Sequence, residues 1–382
     1  MAITGNLPAC ASRLGQLLLA LAVGLGAIGL TASSLQAQGA PPPAVRIDAD
    51  GSVHAPAMTV PVSSFLSPEG KAYLTQHLKD MQNPAVLGQK DGVPTFMTGY
   101  LARQKVLFPT LKRDTRIAGV HAYVYTPQAG VAPRNRNRVL IDLHGGGFSG
   151  CFPGCAELES IPVAALGRVK VISLDYREGP TYRFPAASED VAAVYRQLLK
   201  RYQPRNIGIY GCSAGGMLTA MSVAWFQKHE LPRPGAVGIF CAGATLADLG
   251  FGGDASYTAA PLGEARPAPP PPAPQAATSA GVPPLGYLAG ADPNDPQVAP
   301  AASDDVLRRF PPTLIITGTR GFEMSSAVYT HSRLSRLGVD AELHVWEGMF
   351  HGFFYDPDVP ESRDAYDVMV RFFDRHLGTR DR

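Results

Sequence analysis

Short apolar runs alternate with longer amphipathic stretches along the last two thirds of the chain, and this pattern predicts the secondary structure. Alternating strands and helices predict an α/β protein with a mostly parallel sheet and helices on both faces. Ligands of such sheets bind beyond the carboxyl ends of the strands. The predicted strands are 120–125, 139–143, 169–174, 207–210, 237–241, 313–317 and 341–346, and the predicted helices are 156–167, 187–202, 214–228, 325–337 and 361–377.

The first candidate for chemistry is the pentapeptide G-C-S-A-G at residues 211–215, between a predicted strand and a predicted helix. A strand-to-helix turn of this kind leaves no room for side chains beside the serine, so Gly211 and Gly215 let the hydroxyl of Ser213 stand clear of the sheet. The motif therefore predicts Ser213 as a nucleophile. The structural alternative is that the glycines only permit the turn and that Ser213 caps the helix.

A second glycine motif, H-G-G-G-F at residues 144–148, follows the predicted strand 139–143. Successive glycines expose backbone N–H groups that can point at one spot, and the N–H of Ala214, directly after the serine, can join them. Such donors form an oxyanion hole, which stabilises the charge that develops on a tetrahedral intermediate. A glycine-rich turn without chemistry is the alternative.

With these motifs the chain resembles the bacterial hormone-sensitive-lipase family of α/β-hydrolases, whose hallmarks are H-G-G-G and G-D-S-A-G-G. D-Y-R at 175–177, F-P-A-A at 184–187 and E-G-M-F-H-G-F at 347–353 also carry the resemblance, which spans roughly residues 120–377. It implies the α/β-hydrolase fold and a carboxylesterase acting on short-chain or compact esters, without metal or organic cofactor. The family's oxyanion donors are the second and third glycines of H-G-G-G and the residue after the serine, which implies Gly146, Gly147 and Ala214.

His351 is the predicted general base. It follows the predicted strand 341–346 on a loop with Gly348 and Gly352, in the order serine, acid, histidine that this fold uses. A histidine within hydrogen-bond reach of Ser213 takes its proton during attack and returns one to the leaving alkoxide. Structural or solvent-facing roles are expected for four histidines inside predicted strands or helices, namely His121, His331, His344 and His376.

The acidic partner of the histidine departs from the resembled family. Gly321 stands where the family carries an aspartate, in the loop after the predicted strand 313–317. Glu323 has a longer side chain that can reach the imidazole if the backbone bends, as a glycine at 321 allows. Glu323 is therefore predicted as the third catalytic residue. The alternatives are that Glu323 is a surface charge, that Asp292 or Asp295 substitutes for it, or that the triad is incomplete and the enzyme slow.

The cysteines suggest packing and crosslinking rather than nucleophilic chemistry. Cys212 stands where the family usually has aspartate, and no neighbour in sequence activates its thiol, so a buried apolar side chain is expected. Cys151 and Cys155 are separated by Phe-Pro-Gly, a turn that can bring the two thiols together. In an oxidising compartment a disulfide is predicted there, beside the glycine loop. Two reduced, buried cysteines are the alternative.

The N-terminus has the features of an export signal, which are Arg13, an apolar stretch at 17–30 and a small-residue end that suits cleavage after Ala37. The apolar stretch is shorter than a membrane span, which takes about 20 residues, so no stable span is expected after cleavage. The expected location is periplasmic or secreted. A retained anchor is the alternative. The predicted domains are a signal peptide (1–37), an Ala/Pro-rich disordered leader (38–60), an N-terminal cap segment (61–118) and a catalytic domain (119–380) with a proline-rich insertion (263–284).

The cap is implied by resemblance, since an N-terminal helical segment covers the pockets in that family, and Ser67 with residues 68–81 has the pattern of a capped helix.

Charge adds little, because 34 basic and 32 acidic residues give the 382-residue chain a net charge of +2 without a basic run. No nucleic-acid partner is expected. The prediction is an exported serine carboxylesterase acting on a small-molecule ester; a lactone hydrolase, a deacetylase and a degenerate, ligand-binding hydrolase are the alternatives.

Overall fold

The computed structural model describes residues 45–57, 59–83, 88–90, 92–245, 253–259 and 286–378. The predicted signal peptide (1–37) and the proline-rich insertion (263–284) lie outside these ranges. The chain divides into two compact units, Met1–Thr59 and Val60–Arg382. Each unit is described by itself below.

The first unit contains a short hairpin. Strands β1 (Arg46–Ile47) and β2 (Val53–His54) pair antiparallel across a turn. The turn is closed by a hydrogen bond from the N–H of Gly51 to the carbonyl of Asp48, and the Asp48 carboxylate contacts the His54 ring at 2.6 Å. This hairpin lies within the Ala/Pro-rich leader predicted at 38–60, and a turn glycine and local polar contacts hold it together.

The second unit begins with helical and short extended elements. They are α1 (Pro68–Met81), the antiparallel pair β3 (Gln89–Lys90) and β4 (Val93–Pro94), and α2 (Thr98–Leu107). Ser67 caps α1 as predicted, since its Oγ accepts a hydrogen bond from the N–H of Gly70 at 2.8 Å. The Glu361 carboxylate accepts from both the N–H and the Oγ of Ser67 and so fixes the start of α1 to the C-terminal helix.

An eight-stranded sheet forms the centre of the second unit. In chain order its strands and helices are β5 (Thr110–Ile117), β6 (Val120–Pro127), β7 (Val139–Leu143), α3 (Gly154–Gly167), β8 (Lys170–Asp175), α4 (Ala186–Leu199), β9 (Ile207–Cys212), α5 (Ala214–Lys228), β10 (Ala236–Phe240), α6 (Asp254–Ala259), α7 (Asp304–Leu307), β11 (Thr313–Gly318), α8 (Met324–Arg336), β12 (Ala341–Trp346) and α9 (Pro360–His376). The strand order is β12-β11-β10-β9-β7-β8-β6-β5. From β12 to β8 neighbouring strands are parallel, whereas β6 runs antiparallel to both β8 and β5.

The central strands are buried on both faces, and for this reason their sequences are apolar runs rather than alternating patterns. Successive residues of β7 point into different cores, with Ile141 in the cluster beneath α4, α5 and α8 and Leu140 in the cluster beneath α3 and α9. The mostly parallel sheet with helices on both faces is thus confirmed. Sequence analysis missed β5, an exposed, charged edge strand without an apolar run.

The loops that follow β7, β9, β11 and β12 leave the sheet at the carboxyl ends of parallel strands. This edge carries all of the predicted catalytic residues. Helix α1 supports the loop after β12, because the rings of His77 and Phe350 stack with centroids 3.6 Å apart and Tyr73 packs on the same phenyl ring at 4.8 Å. Across the described ranges, no helix combines the length and the apolar character that a membrane crossing requires.

Candidate active site

Ser213 lies at the turn between β9 and α5 with φ 59° and ψ −123°, a conformation that is costly for a residue with a Cβ. An added Cβ would lie 2.1 Å from the Leu143 carbonyl oxygen at Gly211 and 1.5 Å from it at Gly215, so both flanking positions require glycine. The side chain of Ser213 makes no capping hydrogen bond to α5. The helix-cap alternative is therefore wrong, and the hydroxyl is not used to complete the helix.

The glycine loop after β7 packs directly on this turn. A Cβ at Gly145 would lie 3.5 Å from the Cβ of Ser213. Gly146 and Gly147 have φ of 119° and 64°, which favour glycine, and a Cβ at Gly146 would lie 1.8 Å from the Gly150 carbonyl oxygen. Within the described part of the chain, the backbone N–H groups of Gly146, Gly147 and Ala214 have no hydrogen-bond acceptor. The three predicted oxyanion donors thus belong to two loops in contact with each other.

His144 begins the glycine loop and has a structural role. It is fully buried, and burial lowers the pKa of its imidazole to about 4. Its ring stacks on Tyr176 at 4.5 Å, and the Tyr176 hydroxyl donates to the His144 carbonyl at 2.6 Å. The tyrosine of the D-Y-R motif therefore anchors the start of the loop.

His351 and Glu323 are brought together from the loops after β12 and β11. His351 Nδ1 lies 3.0 Å from Glu323 Oε2, and the Thr317 hydroxyl donates to Glu323 Oε1 at 2.8 Å. Glu323 is only 1 % exposed. Burial by itself raises the pKa of this carboxyl, but the charge of His351 and the hydrogen bonds from His351 and Thr317 outweigh burial and leave the pKa lowered. The geometry is that of a carboxylate orienting an imidazole.

The alternatives for the acid do not fit the structure. Asp292 accepts from the N–H of Asn294, and Asp295 accepts from the N–H of Gln297, so each carboxylate closes its own turn. Glu323 is buried rather than a surface charge. A Cβ at Gly321 would lie 2.5 Å from Glu323 Oε1. Glycine at 321 therefore provides the space that the displaced carboxylate occupies.

Sequence reasoning missed several residues that support this pair. Thr317 lies inside β11 and gave no signal of its contact with the carboxylate. The ring of Phe322 stacks on His351 with centroids 4.5 Å apart. Cys241 accepts a hydrogen bond through Sγ from the N–H of Gly352 at 3.3 Å. This bond ties the loop after β12 that carries His351, the base loop, to the end of β10. Such contacts depend on which loops the topology brings together, and no local motif encodes them.

The cysteines behave as predicted. Cys151 and Cys155 form a disulfide with their Cα atoms 5.3 Å apart. Cys212 and Cys241 are buried thiols, and burial raises the pKa of each. A buried thiol with a raised pKa is a poor nucleophile. Cys212 therefore packs behind the serine and does not compete with it.

Two groups of described residues bring potential metal-ligand atoms close together. Cys241, Glu323 and His351 have ligand atoms within 4.8 Å of one another, and Asp340, Glu342 and His376 form a second such group. In the first group the carboxylate and the imidazole are already hydrogen-bonded to each other. In the second, Glu342 is ion-paired with Arg375. Neither arrangement is a preformed set of unengaged ligands.

Comparison with known proteins places this geometry in a family. A family model described as an alpha/beta hydrolase fold matches residues 140–355, more than half of the chain. The chain belongs to the α/β-hydrolase family. The protein is thus an enzyme of the hydrolase class, and the resemblance recognised from its motifs is confirmed.

Relatives of this α/β-hydrolase are esterases and acetyl-hydrolases. An acetyl-hydrolase of Streptomyces hygroscopicus is 30% identical over 243 residues, covering 63% of this chain and 76% of the relative. The solved structure of esterase E25 shares 28% identity with a TM-score of 0.69, covering 85% of this chain and 99% of that one. An esterase from the bacterial hormone-sensitive lipase family shares 25% identity with a TM-score of 0.63, covering 80% and 99%.

Proposed function

We propose that this α/β-hydrolase is an exported serine carboxylesterase that hydrolyses short-chain or compact carboxylic esters through an acyl-serine intermediate. The observation that carries the proposal is the buried hydrogen bond between Glu323 and His351, on loops at the sheet edge that also bears Ser213. A degenerate, ligand-binding hydrolase would have no need of a desolvated carboxylate held against the histidine. The relatives named as esterases and acetyl-hydrolases support the same class of reaction.

In the acylation step, Ser213 Oγ attacks the ester carbonyl carbon and passes its proton to Nε2 of His351. Nδ1 of His351 faces Glu323, and the carboxylate holds the tautomer and stabilises the imidazolium that forms. The carbonyl oxygen becomes an oxyanion, which accepts hydrogen bonds from the N–H groups of Gly146, Gly147 and Ala214. When the tetrahedral intermediate collapses, His351 returns the proton to the leaving alkoxide, and alcohol departs from an acyl-Ser213.

Deacylation repeats these steps with water. His351 takes a proton from the water as its oxygen attacks the acyl carbon, and the same three N–H groups stabilise the second oxyanion. Collapse breaks the bond to Ser213 Oγ, which recovers its proton from His351. The products are one carboxylic acid and one alcohol, and the reaction balances without a cofactor.

The proposed acyl group is small. Relatives include two proteins named as acetyl-hydrolases and a versiconal hemiacetal acetate esterase of Emericella nidulans, and these names specify acetyl groups for those proteins. Lactone hydrolysis and deacetylation proceed through the same intermediate, so a substrate panel separates them from ester hydrolysis. Relatives named arylacetamide deacetylase make an aryl acetamide a necessary member of that panel.

The test is a burst and steady-state assay on p-nitrophenyl acetate, butyrate and octanoate, a γ-lactone and 4-nitroacetanilide. Ser213→Ala is compared with Ser222→Ala, which removes a buried hydroxyl in α5, the helix that follows Ser213; this hydroxyl has no hydrogen-bond partner among the described residues. We expect turnover of the acetate and butyrate esters by the parent and by Ser222→Ala, and its loss in Ser213→Ala. An acyl burst without turnover would favour the ligand-binding alternative, and turnover that survives in Ser213→Ala would refute the serine mechanism.

Export is a separate part of the proposal and needs its own test. The full chain is expressed in a bacterium, the periplasm and medium are separated from the membranes, and the intact mass of the protein is measured. We expect a soluble product that begins at Gln38, after cleavage at Ala37. Recovery of the uncleaved chain in the membrane fraction would support a retained anchor, and recovery in the cytoplasm would refute export.

A further inference from the structure

A buried carboxylate on α3 contacts the site from behind. Glu159 is 3 % exposed and lies in the first half of the helix. Its Oε1 accepts hydrogen bonds from the N–H of Gly145 and from the hydroxyl of Tyr355, each at 2.9 Å. Its Oε2 accepts from the N–H of Cys212 at 3.0 Å. Glu159 belongs to none of the motifs that carry the resemblance.

The three donors come from three different segments of the site. Gly145 is the first glycine of the loop that carries the oxyanion donors, and Cys212 is the residue directly before Ser213. Tyr355 ends the short 3₁₀ helix Phe353–Tyr355, which follows His351. One carboxylate therefore joins the oxyanion loop, the nucleophile turn and the base loop.

The partners need an acceptor at this position, because the backbone N–H groups of Gly145 and Cys212 can only donate. The Tyr355 hydroxyl donates to the same oxygen as the N–H of Gly145. Burial, together with the nearby Cys212 and Asp142, raises the pKa of this carboxyl well above its ordinary value, although the N–H of Gly145 and the hydroxyl of Tyr355 oppose that effect. The backbone carbonyl of Glu159 also accepts from the Tyr210 hydroxyl at 3.1 Å, which fixes this turn of α3 to β9. The side chain is thus held at both ends.

We propose that Glu159 is a positioning residue that holds the oxyanion loop and the nucleophile turn in register for catalysis. This inference rests on the proposed esterase function. The N–H of Gly145 fixes the peptide before Gly146, and the N–H of Cys212 fixes the peptide before Ser213. Without the carboxylate both amides lose their acceptor in a dry interior, and the two loops can shift relative to each other. A displacement of about 1 Å in a catalytic group can cost about 10²-fold in rate.

A second buried carboxylate provides a matched control. Asp142 is fully buried in β7, and its Oδ2 accepts from the hydroxyls of Ser160 and Ser173. None of these partners belongs to the loops of the site. Glu159→Gln and Asp142→Asn therefore make the same chemical change in the same core, and only the first removes a contact to the catalytic loops.

The experiment measures kcat and KM on p-nitrophenyl butyrate, the Ki of butaneboronic acid as a tetrahedral mimic, and Tm. For Glu159→Gln we expect kcat and boronate affinity to fall together by about 10- to 100-fold, with KM changed by less than about threefold. Asp142→Asn should change neither kcat nor Ki. A purely structural role would lower Tm without this parallel loss, so a kcat within about twofold of the parent in folded Glu159→Gln overturns the proposal.

Two further measurements cover the remaining outcomes. Hydrogen exchange of peptides spanning 144–150 and 210–216 should accelerate in Glu159→Gln and not in Asp142→Asn, whether or not the parent hydrolyses esters; unchanged exchange overturns the proposal. If Glu159→Gln does not fold, Tyr355→Phe removes one donor to the same carboxylate and should lower kcat severalfold, and an unchanged kcat overturns the proposal. A parent that turns over no ester refutes the esterase function, and exchange then still decides the role of Glu159.

Discussion

The carboxylate of Glu323 lies against His351, with Oε2 3.0 Å from Nδ1, and it occupies the space that a side chain at residue 321 would need. The loss of a side chain at 321 and the use of a longer acid at 323 are therefore two parts of one arrangement. The acid has moved two residues along the loop, and the glycine accommodates it. Thr317 holds the second carboxylate oxygen, so the position is fixed from both sides.

The first prediction concerns the charge of Glu323. Glu323→Gln keeps the shape of the side chain, but it removes the charge that stabilises the imidazolium and can present an N–H to Nδ1, which selects the wrong tautomer. We expect kcat to fall by about 10²- to 10⁴-fold with little change in KM. Steady-state kinetics on p-nitrophenyl butyrate measure the effect, with the exposed Glu347→Gln on the base loop as control. Equal activity of the two variants would remove Glu323 from the mechanism.

The second prediction follows from the contact between Gly321 and the acid. Gly321→Asp restores the family residue, yet its Cβ would lie 2.5 Å from Glu323 Oε1. We expect the single variant to lose activity because two carboxylates compete for one space. In Gly321→Asp/Glu323→Ala the new aspartate has room, and kcat should exceed that of Glu323→Ala alone by at least about tenfold. A gain of activity in Gly321→Asp alone would mean that Glu323 is a poor substitute.

The motifs predicted the site because each depends on local backbone geometry. Gly211 and Gly215 are required by contacts with Leu143, and Gly146 by a positive φ, so both signatures are visible in the sequence. Glu323 could also be predicted from the sequence, because a glycine occupies the position where the family carries an aspartate and an acidic residue follows two positions later. Glu159 left no such signal, because its partners come from loops far apart in sequence. Similarly, β5 is ordered by pairing with β6 rather than by an apolar pattern of its own.

The third prediction is a pH dependence of stability. Burial raises the pKa of Asp142 from its ordinary 3.8 to about 7. Between these values the unfolded carboxyl is ionised while the folded one keeps its proton, so stability falls as pH rises from about 4 to about 7. Below about pH 4 the penalty is absent, and above about pH 7 it is fully present, on the order of a few kcal/mol.

Asp142→Asn removes this penalty and retains an acceptor for the hydroxyls of Ser160 and Ser173. The Tm of the variant minus that of the parent should therefore increase from pH 4 to pH 7 and then level off. Scanning calorimetry in matched buffers measures the difference, and the exposed Asp367→Asn controls for the substitution. A difference that does not change with pH would mean that Asp142 ionises at its ordinary pKa in the folded protein.

The fourth prediction concerns the disulfide between Cys151 and Cys155. Cys151 borders the oxyanion loop, since a Cβ at Gly146 would lie 2.8 Å from the Cβ of Cys151, and Cys155 lies in the first turn of α3. We expect Cys151→Ser/Cys155→Ser to lose about 2 kcal/mol of stability. Its kcat should fall severalfold at unchanged KM, because the loop that carries Gly146 and Gly147 is less constrained.

Reduction of the parent should reproduce both effects. Thermal unfolding and steady-state kinetics with and without reductant measure them, and alkylation followed by mass spectrometry counts the thiols. The buried Cys212 and Cys241 provide an internal reference, since they should react only after unfolding. Alkylation of both Cys151 and Cys155 in the native, unreduced protein would contradict the crosslink.

The last prediction addresses the cysteine that stands where the family has aspartate. The Cys212 side chain is 1 % exposed, next to the thiol of Cys241, and the Glu159 carboxylate lies on its backbone N–H. Cys212→Asp would place a second carboxylate beside Glu159 in a dry interior, where two like charges cannot both be ionised cheaply. We expect this variant to be destabilised by several kcal/mol, whereas Cys212→Ser, of similar size and neutral, should cost far less.

The two carboxylates can be tested for direct coupling. If they repel each other, Glu159→Gln should cost less stability in the Cys212→Asp background than in the parent, with a coupling energy of about 1–3 kcal/mol. Chemical denaturation of the parent, the two single variants and Cys212→Asp/Glu159→Gln completes the cycle. Additive losses would show that the aspartate is excluded by its own size and desolvation and not by repulsion from Glu159. A coupled result would mean that the glutamate on α3 and the neutral residue before the nucleophile depend on each other, so that the family hallmark cannot be restored at 212 while Glu159 remains.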